Sequence, residues 1–141
     1  MLSKRTLTRA EDGLYNFTNA LNQFITIIER EKELKEQGFA DFYIDIFVKR
    51  FEFTYEMSWK ALKRYLEYLG FEIKNPRMSF KEGFAQGIIN DEYVWLDMIE
   101  QRNLSSHIYD KSEISEIFKN QEEYKKAFLS LKENIEIGLQ N

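Results

Sequence analysis

The chain has 141 residues, 43% of them hydrophobic and 31% charged, with a formal net charge of −4. That is the length and composition of one folded domain spanning residues 1–141, and it excludes a disordered chain or a pair of domains. The lack of Cys removes disulfides, thiolate metal sites and a cysteine nucleophile and fits a cytoplasmic setting, while a pI of about 5.2 argues against a broad basic coat for nucleic acid.

Six Gly and one Pro give little turn punctuation, so helices are favoured over an all-β domain. The opening MLSKRTLTRAEDGLYNF has no apolar signal-peptide core, and no run of about eighteen apolar residues predicts a membrane span. Apolar side chains at Leu7, Ala10, Leu14, Phe17, Leu21, Phe24 and Ile28 recur in alternating steps of three and four, the stripe of a long bundle helix. Gly13 weakens its first turns and allows a start as late as Thr8. The charged run EREKELKE continues that helix to the break at Gly38.

A second long helix is predicted from Asp41 to Leu69, with Ile44, Val48, Phe51, Tyr55, Ser58 or Trp59, Leu62, Leu66 and Leu69 inward and Gly70 as its left-handed stop. Lys49, Arg50, Lys60, Lys63 and Arg64 occupy its opposite face. Asn75 before Pro76 is a strong helix start, giving a short helix to about Gln86. A fourth runs from about Glu92 to Ser106. The last is announced by the capping-box spacing of Asp110 and Glu113, with Ile114, Ile117, Gln121, Tyr124, Phe128, Leu131, Ile135 and Leu139 as its stripe. The expectation is an all-α antiparallel bundle of about five helices, three of them long. Aromatics reach 16%, and Phe51, Phe53, Tyr55 and Trp59 are too dense for one buried face, which predicts a homodimer.

Chemistry concentrates in QRNLSSHIYD, residues 101–110, which holds the single histidine, His107. No HExxH, acidic metal loop or phosphate-cradling glycine loop occurs, so neither metal nor cofactor is expected. Ser105 and Ser106 adjoin His107, but nothing in the spacing supplies the oriented base of a hydrolase. On a continuing helix Arg102 and His107 lie about 140° apart; if the helix ends near Ser105 both can reach one cleft. An imidazole and a guanidinium together suffice for metal-free RNA cleavage, the first moving the proton and the second stabilising the extra phosphate charge. A lone histidine near a helix end is more usually a cap or a satisfied polar residue, and the spacing by itself is a weak motif. Upstream, Glu52, Glu56 and Lys60 lie one turn apart, either as ordinary charge pairs or as a groove wall orienting Arg102.

The segments RFEFTYEMSWKALKRYLEYLG (50–70), NPRMSFKEGFAQGII (75–89) and WLDMIEQRNLSSHIYD (95–110) resemble, in order, the nucleotidyltransferase substrate-binding proteins of the HEPN superfamily, which includes the HepT toxins. The superfamily motif of Arg, a polar residue and a following His matches Arg102, Asn103 and His107, and Tyr109 completes the Arg-x4-His-x-Tyr form of the HepT branch. The resemblance implies a homodimer with two motif copies facing each other and a small MNT-type nucleotidyltransferase as partner. It also implies a metal-independent ribonuclease acting on RNA and silenced by AMP transfer to Tyr109. The family's older name carries the rival: a non-catalytic subunit that presents substrate to the nucleotidyltransferase.

Overall fold

Ser3 sets the start of the chain's first helix, its side chain accepting the Thr6 N–H at 3.1 Å. The computed structural model describes residues 3–105 and 117–141. Its helices are α1 (Lys4–Glu29), α2 (Glu31–Glu36), α3 (Ala40–Tyr68), α4 (Pro76–Ala85), α5 (Glu92–Ser105) and α6 (Gln121–Gln140), with no strand among the described residues. The helix start thus falls before Thr8, because Ser3 supplies an acceptor for an otherwise orphaned N–H.

Gly13 lies buried inside α1 for a reason of space. A Cβ there would come within 3.0 Å of Arg64 Cδ and 3.3 Å of Ala61 Cα, so its absence lets α1 and α3 approach closely. The two helices run antiparallel. Early α1 meets late α3 at this point, and late α1 meets early α3 through Phe24, whose ring centroid lies 5.5 Å from Phe47 and 6.1 Å from Phe51. Helix α6 completes the layer: Phe128 packs edge-on against Phe17 and Phe24, at 6.0 and 5.9 Å. Helix α5 crosses onto α6 through Trp95, 5.7 Å from Phe128, and α4 is pinned between α3 and α5 by Phe80. The result is one aromatic core shared by every long helix.

Two helix boundaries and the inward stripe of α3 differ from expectation. EREKELKE does not extend α1: the backbone turns at Arg30 (φ −98, ψ 5), whose guanidinium pairs with Glu33, and α2 restarts so that Leu34 packs on the core. The last helix is also broken, at Asn120, after helical residues 117–119. The Asn120 side chain donates to Asp97 Oδ2 at 3.2 Å instead of capping α6. Along α3, Tyr43 and Phe47 are fully buried, whereas Leu69 is exposed and Ile44 only partly covered. The stop at Gly70 follows the expected route, with a positive φ of 105° and the Phe71 N–H reaching back to Leu66 C=O at 3.0 Å. Asp110, Glu113 and Ile114 lie outside the described residues.

No helix of the described residues is long and apolar enough to cross a membrane. Phe51 and Tyr55 are buried and Phe53 is 52% exposed, so α3 does carry aromatic surface on more than one side. Farther toward its start Phe42 is also exposed, at 63%.

Candidate functional site

Arg102 stands in the last turn of α5, where a cation is favoured by the carbonyl ends of the helix. Its Nη2 lies 3.7 Å from Glu56 Oε1, with a quarter of the Arg102 side chain and a third of the Glu56 side chain exposed. The other carboxylate oxygen of Glu56 accepts the Trp59 indole N–H at 3.1 Å, which fixes the plane of the carboxylate. The guanidinium is therefore held near a braced anion at more than hydrogen-bonding distance, close enough to help aim it.

Glu52 lies one turn before Glu56 on the same half-buried face of α3. Lys60, one turn after it, is exposed, with its ammonium 5.9 Å from the centre of the Trp59 ring. Glu56 and Arg102 come together; Lys60 is instead drawn over an aromatic face. His107 and Tyr109 lie outside the described residues.

Asn103 follows Arg102 and opens onto a cleft of about 650 Å³ walled by α3, α4 and α5. Tyr55, Phe80, Phe84 and Ile99 line it, and Arg77 and Lys81 stand on its α4 wall. Tyr55 connects this cleft to the core. Burial pushes its hydroxyl pKa up to about 12, with the Glu56 charge adding to the rise and Arg102 opposing it. The phenol is thus neutral at physiological pH.

The expected basic face of α3 divides. Arg50 turns toward α1, its Nη1 donating to the Gln23 carbonyl at 2.8 Å, and the Arg64 stem lies against Gly13. Both positions border the buried arc of α3, so the neighbouring helix claims them. Arg77 and Lys81, by contrast, share a cleft with the motif residue Asn103. Trp59, Tyr55, Phe80 and Phe84 are site residues that the sequence alone does not single out. Their one local signal is the pairing of Phe80 and Phe84 with Arg77 and Lys81, each one turn apart on the same short helix.

Among the described residues no group of three or more His, Asp or Glu gathers that could hold a metal ion. Residues 12–137 match the family described as nucleotidyltransferase substrate binding protein like. A Haemophilus influenzae protein named probable ribonuclease HepT is 30% identical over 76 residues, which is 50% of this chain and 52% of that one. The chain thus spans about half the length of the curated relative it matches. From its matched span, nearly the whole sequence, the chain belongs to the nucleotidyltransferase substrate-binding-protein-like family.

Proposed function

We propose that the protein is a HepT-like, metal-independent endoribonuclease that acts as a homodimer and pairs with a minimal nucleotidyltransferase. The observation that carries the reading is Arg102, aimed by the braced Glu56 carboxylate beside Asn103 and an open cleft. Arg102 would neutralise the charge growing on the attacked phosphate. His107 would take the proton from a ribose 2′-OH, whose oxygen then bonds to the adjacent phosphorus while the P–O5′ bond breaks. The His107 of the opposing copy would return a proton to the leaving O5′. Asn103 would orient the phosphate. The exposed rings of Phe42 and Phe53 support pairing of two copies. Adenylylation of Tyr109 by the partner would put a bulky anion two residues from His107 and shut out the RNA backbone.

The test is the purified chain, without partner, incubated with single-stranded RNA in EDTA. Cleavage should appear, fall by about 10²–10³-fold in Arg102→Ala, and vanish in His107→Ala at unchanged melting temperature. Incubation with the partner and ATP should add AMP at Tyr109 and stop cleavage, and Tyr109→Phe should escape both. The family description favours a second reading, a non-catalytic subunit that presents substrate to the nucleotidyltransferase. Absence of cleavage by the unmodified wild type, with intact RNA or nucleotide binding, would select it.

A further inference from the structure

The cleft beside Asn103 contains more than a cleavage site requires. Phe80 is almost wholly buried and forms part of the lining, whereas Phe84 is only partly covered and offers a ring to the opening. Arg77 and Lys81 line its α4 wall, and neither pairs with a carboxylate among the described residues. Polar groups converge at the rim. The Asn75 Oδ1 is engaged by the Met78 N–H at 2.9 Å, so what Asn75 offers a ligand is its –NH2 donor. Glu92 offers carboxylate acceptors.

An apolar, ring-lined slot with a few donors and acceptors at its edge and two cations on one wall suits a flat heteroaromatic group bearing a phosphate. The volume of about 650 Å³ lies within the range of small-ligand sites. Single-stranded RNA is read in this way, with an unstacked base laid on aromatic rings and the backbone held by Lys and Arg. We propose that this cleft is a nucleobase subsite, in which one base of the RNA stacks against Phe84 while Arg77 and Lys81 hold the phosphate beside it. The proposal rests on the ribonuclease reading and adds to it: Asn103 joins the two, so the base in the cleft determines which phosphate reaches Arg102. Cleavage should then depend on the nucleotide at one fixed position relative to the cut.

The probe is a fluorescent single-stranded RNA of about twelve nucleotides, its binding followed by anisotropy in a His107→Ala background that leaves it uncut. The double variant Arg77→Ala/Lys81→Ala should weaken binding tenfold or more. It should also flatten the dependence of log affinity on log salt by about 0.7, the value for one phosphate that is no longer neutralised. Phe84→Ala should cost about tenfold. Because Phe84→Ala also touches packing, the RNA is varied as well: an abasic nucleotide moved along the probe should weaken binding at one position, and Phe84→Ala should erase that position dependence.

Unchanged affinity and salt slope in the double variant, with RNA still cut by the wild type, overturns the subsite and leaves the ribonuclease reading standing. Binding through the cleft by a wild type that never cuts RNA does the reverse. If the variants alter only the sedimentation mass of the protein, the cleft is a contact between copies and the proposal fails.

Discussion

Helix α3 faces two different environments. Toward α1 it meets a dry seam in which Phe24, Phe47 and Phe51 are fully buried and a glycine is spent so that the backbones can close up. Toward α4 and α5 it meets an open cleft where Tyr55 borders space and Glu56 holds an arginine at 3.7 Å. The seam is stabilised by many small contacts that tolerate no gap, and the cleft by a few polar contacts that leave room. Close packing and ligand access are thus separated by less than half a turn of one helix. Damage to the two sides should have different signatures: reduced stability on one, reduced chemistry at nearly full stability on the other.

The largest effect should come from Phe24→Ala, which removes a ring that packs on Phe47, Phe51 and Phe128. A buried Phe-to-Ala change costs about 3–5 kcal/mol, enough to lower the melting temperature by about 10 °C at this chain length. Urea denaturation should show that loss. A loss under about 1 kcal/mol would mean that the seam can collapse around the void, and the contrast with the cleft would weaken.

Asp97→Ala comes next, because it acts on both regions. The Tyr124 hydroxyl and the Asn120 amide both donate to Asp97 Oδ2, tying α6 to the helix that carries Arg102. Tyr124 is fully buried, so removing this acceptor from its hydroxyl should cost about 1–3 kcal/mol. Tyr124→Phe deletes the donor as well and should cost less than Asp97→Ala; the opposite order would refute this account of the anchor.

These two sites also mark what could be read from the sequence. The stripe from Phe17 to Phe24 predicted the seam, and Asn75-Pro76 and Gly70 marked the ends of α4 and α3 closely, since caps and periodicity are local properties. The breaks at Arg30 and Asn120 were not legible. Each depends on a partner chosen in three dimensions: the core under Leu34, and Asp97 for the Asn120 side chain. The same limit applied to the cations. Periodicity placed Arg50 and Arg64 away from the predicted stripe, but only the packed structure shows that α1 claims both. At the site, one-turn spacing brought Glu56 into consideration beside Arg102. Trp59 as the brace of Glu56, and the rings of the cleft, needed α4 and α5 in place.

Glu56→Gln tests the cleft side with a smaller expected effect on stability. The pair is partly exposed and long, so its loss should cost no more than about 1 kcal/mol. RNA cleavage should nevertheless fall several-fold in kcat with little change in KM, because the guanidinium loses its aim. An equal fall in melting temperature and activity would make Glu56 a structural residue only.

The smallest effect at neutral pH belongs to Tyr55→Phe, yet it bears most directly on the boundary between the two regions. In the unfolded chain a tyrosine ionises near pH 10, whereas burial, helped by Glu56, raises Tyr55 in the fold to about 12. Between those values the unfolded state binds fewer protons than the folded state, so stability falls as pH rises from about 10 to about 12, by up to about 1.4 kcal/mol per pH unit for one such group. Tyr43 and Tyr65 are also raised by burial and act in the same direction. Tyr55→Phe should therefore make the alkaline decline shallower without abolishing it. An unchanged slope would mean that the Tyr55 hydroxyl meets solvent through the cleft and ionises as freely as in the unfolded chain. Tyr55 would then belong to the cleft and not to the core.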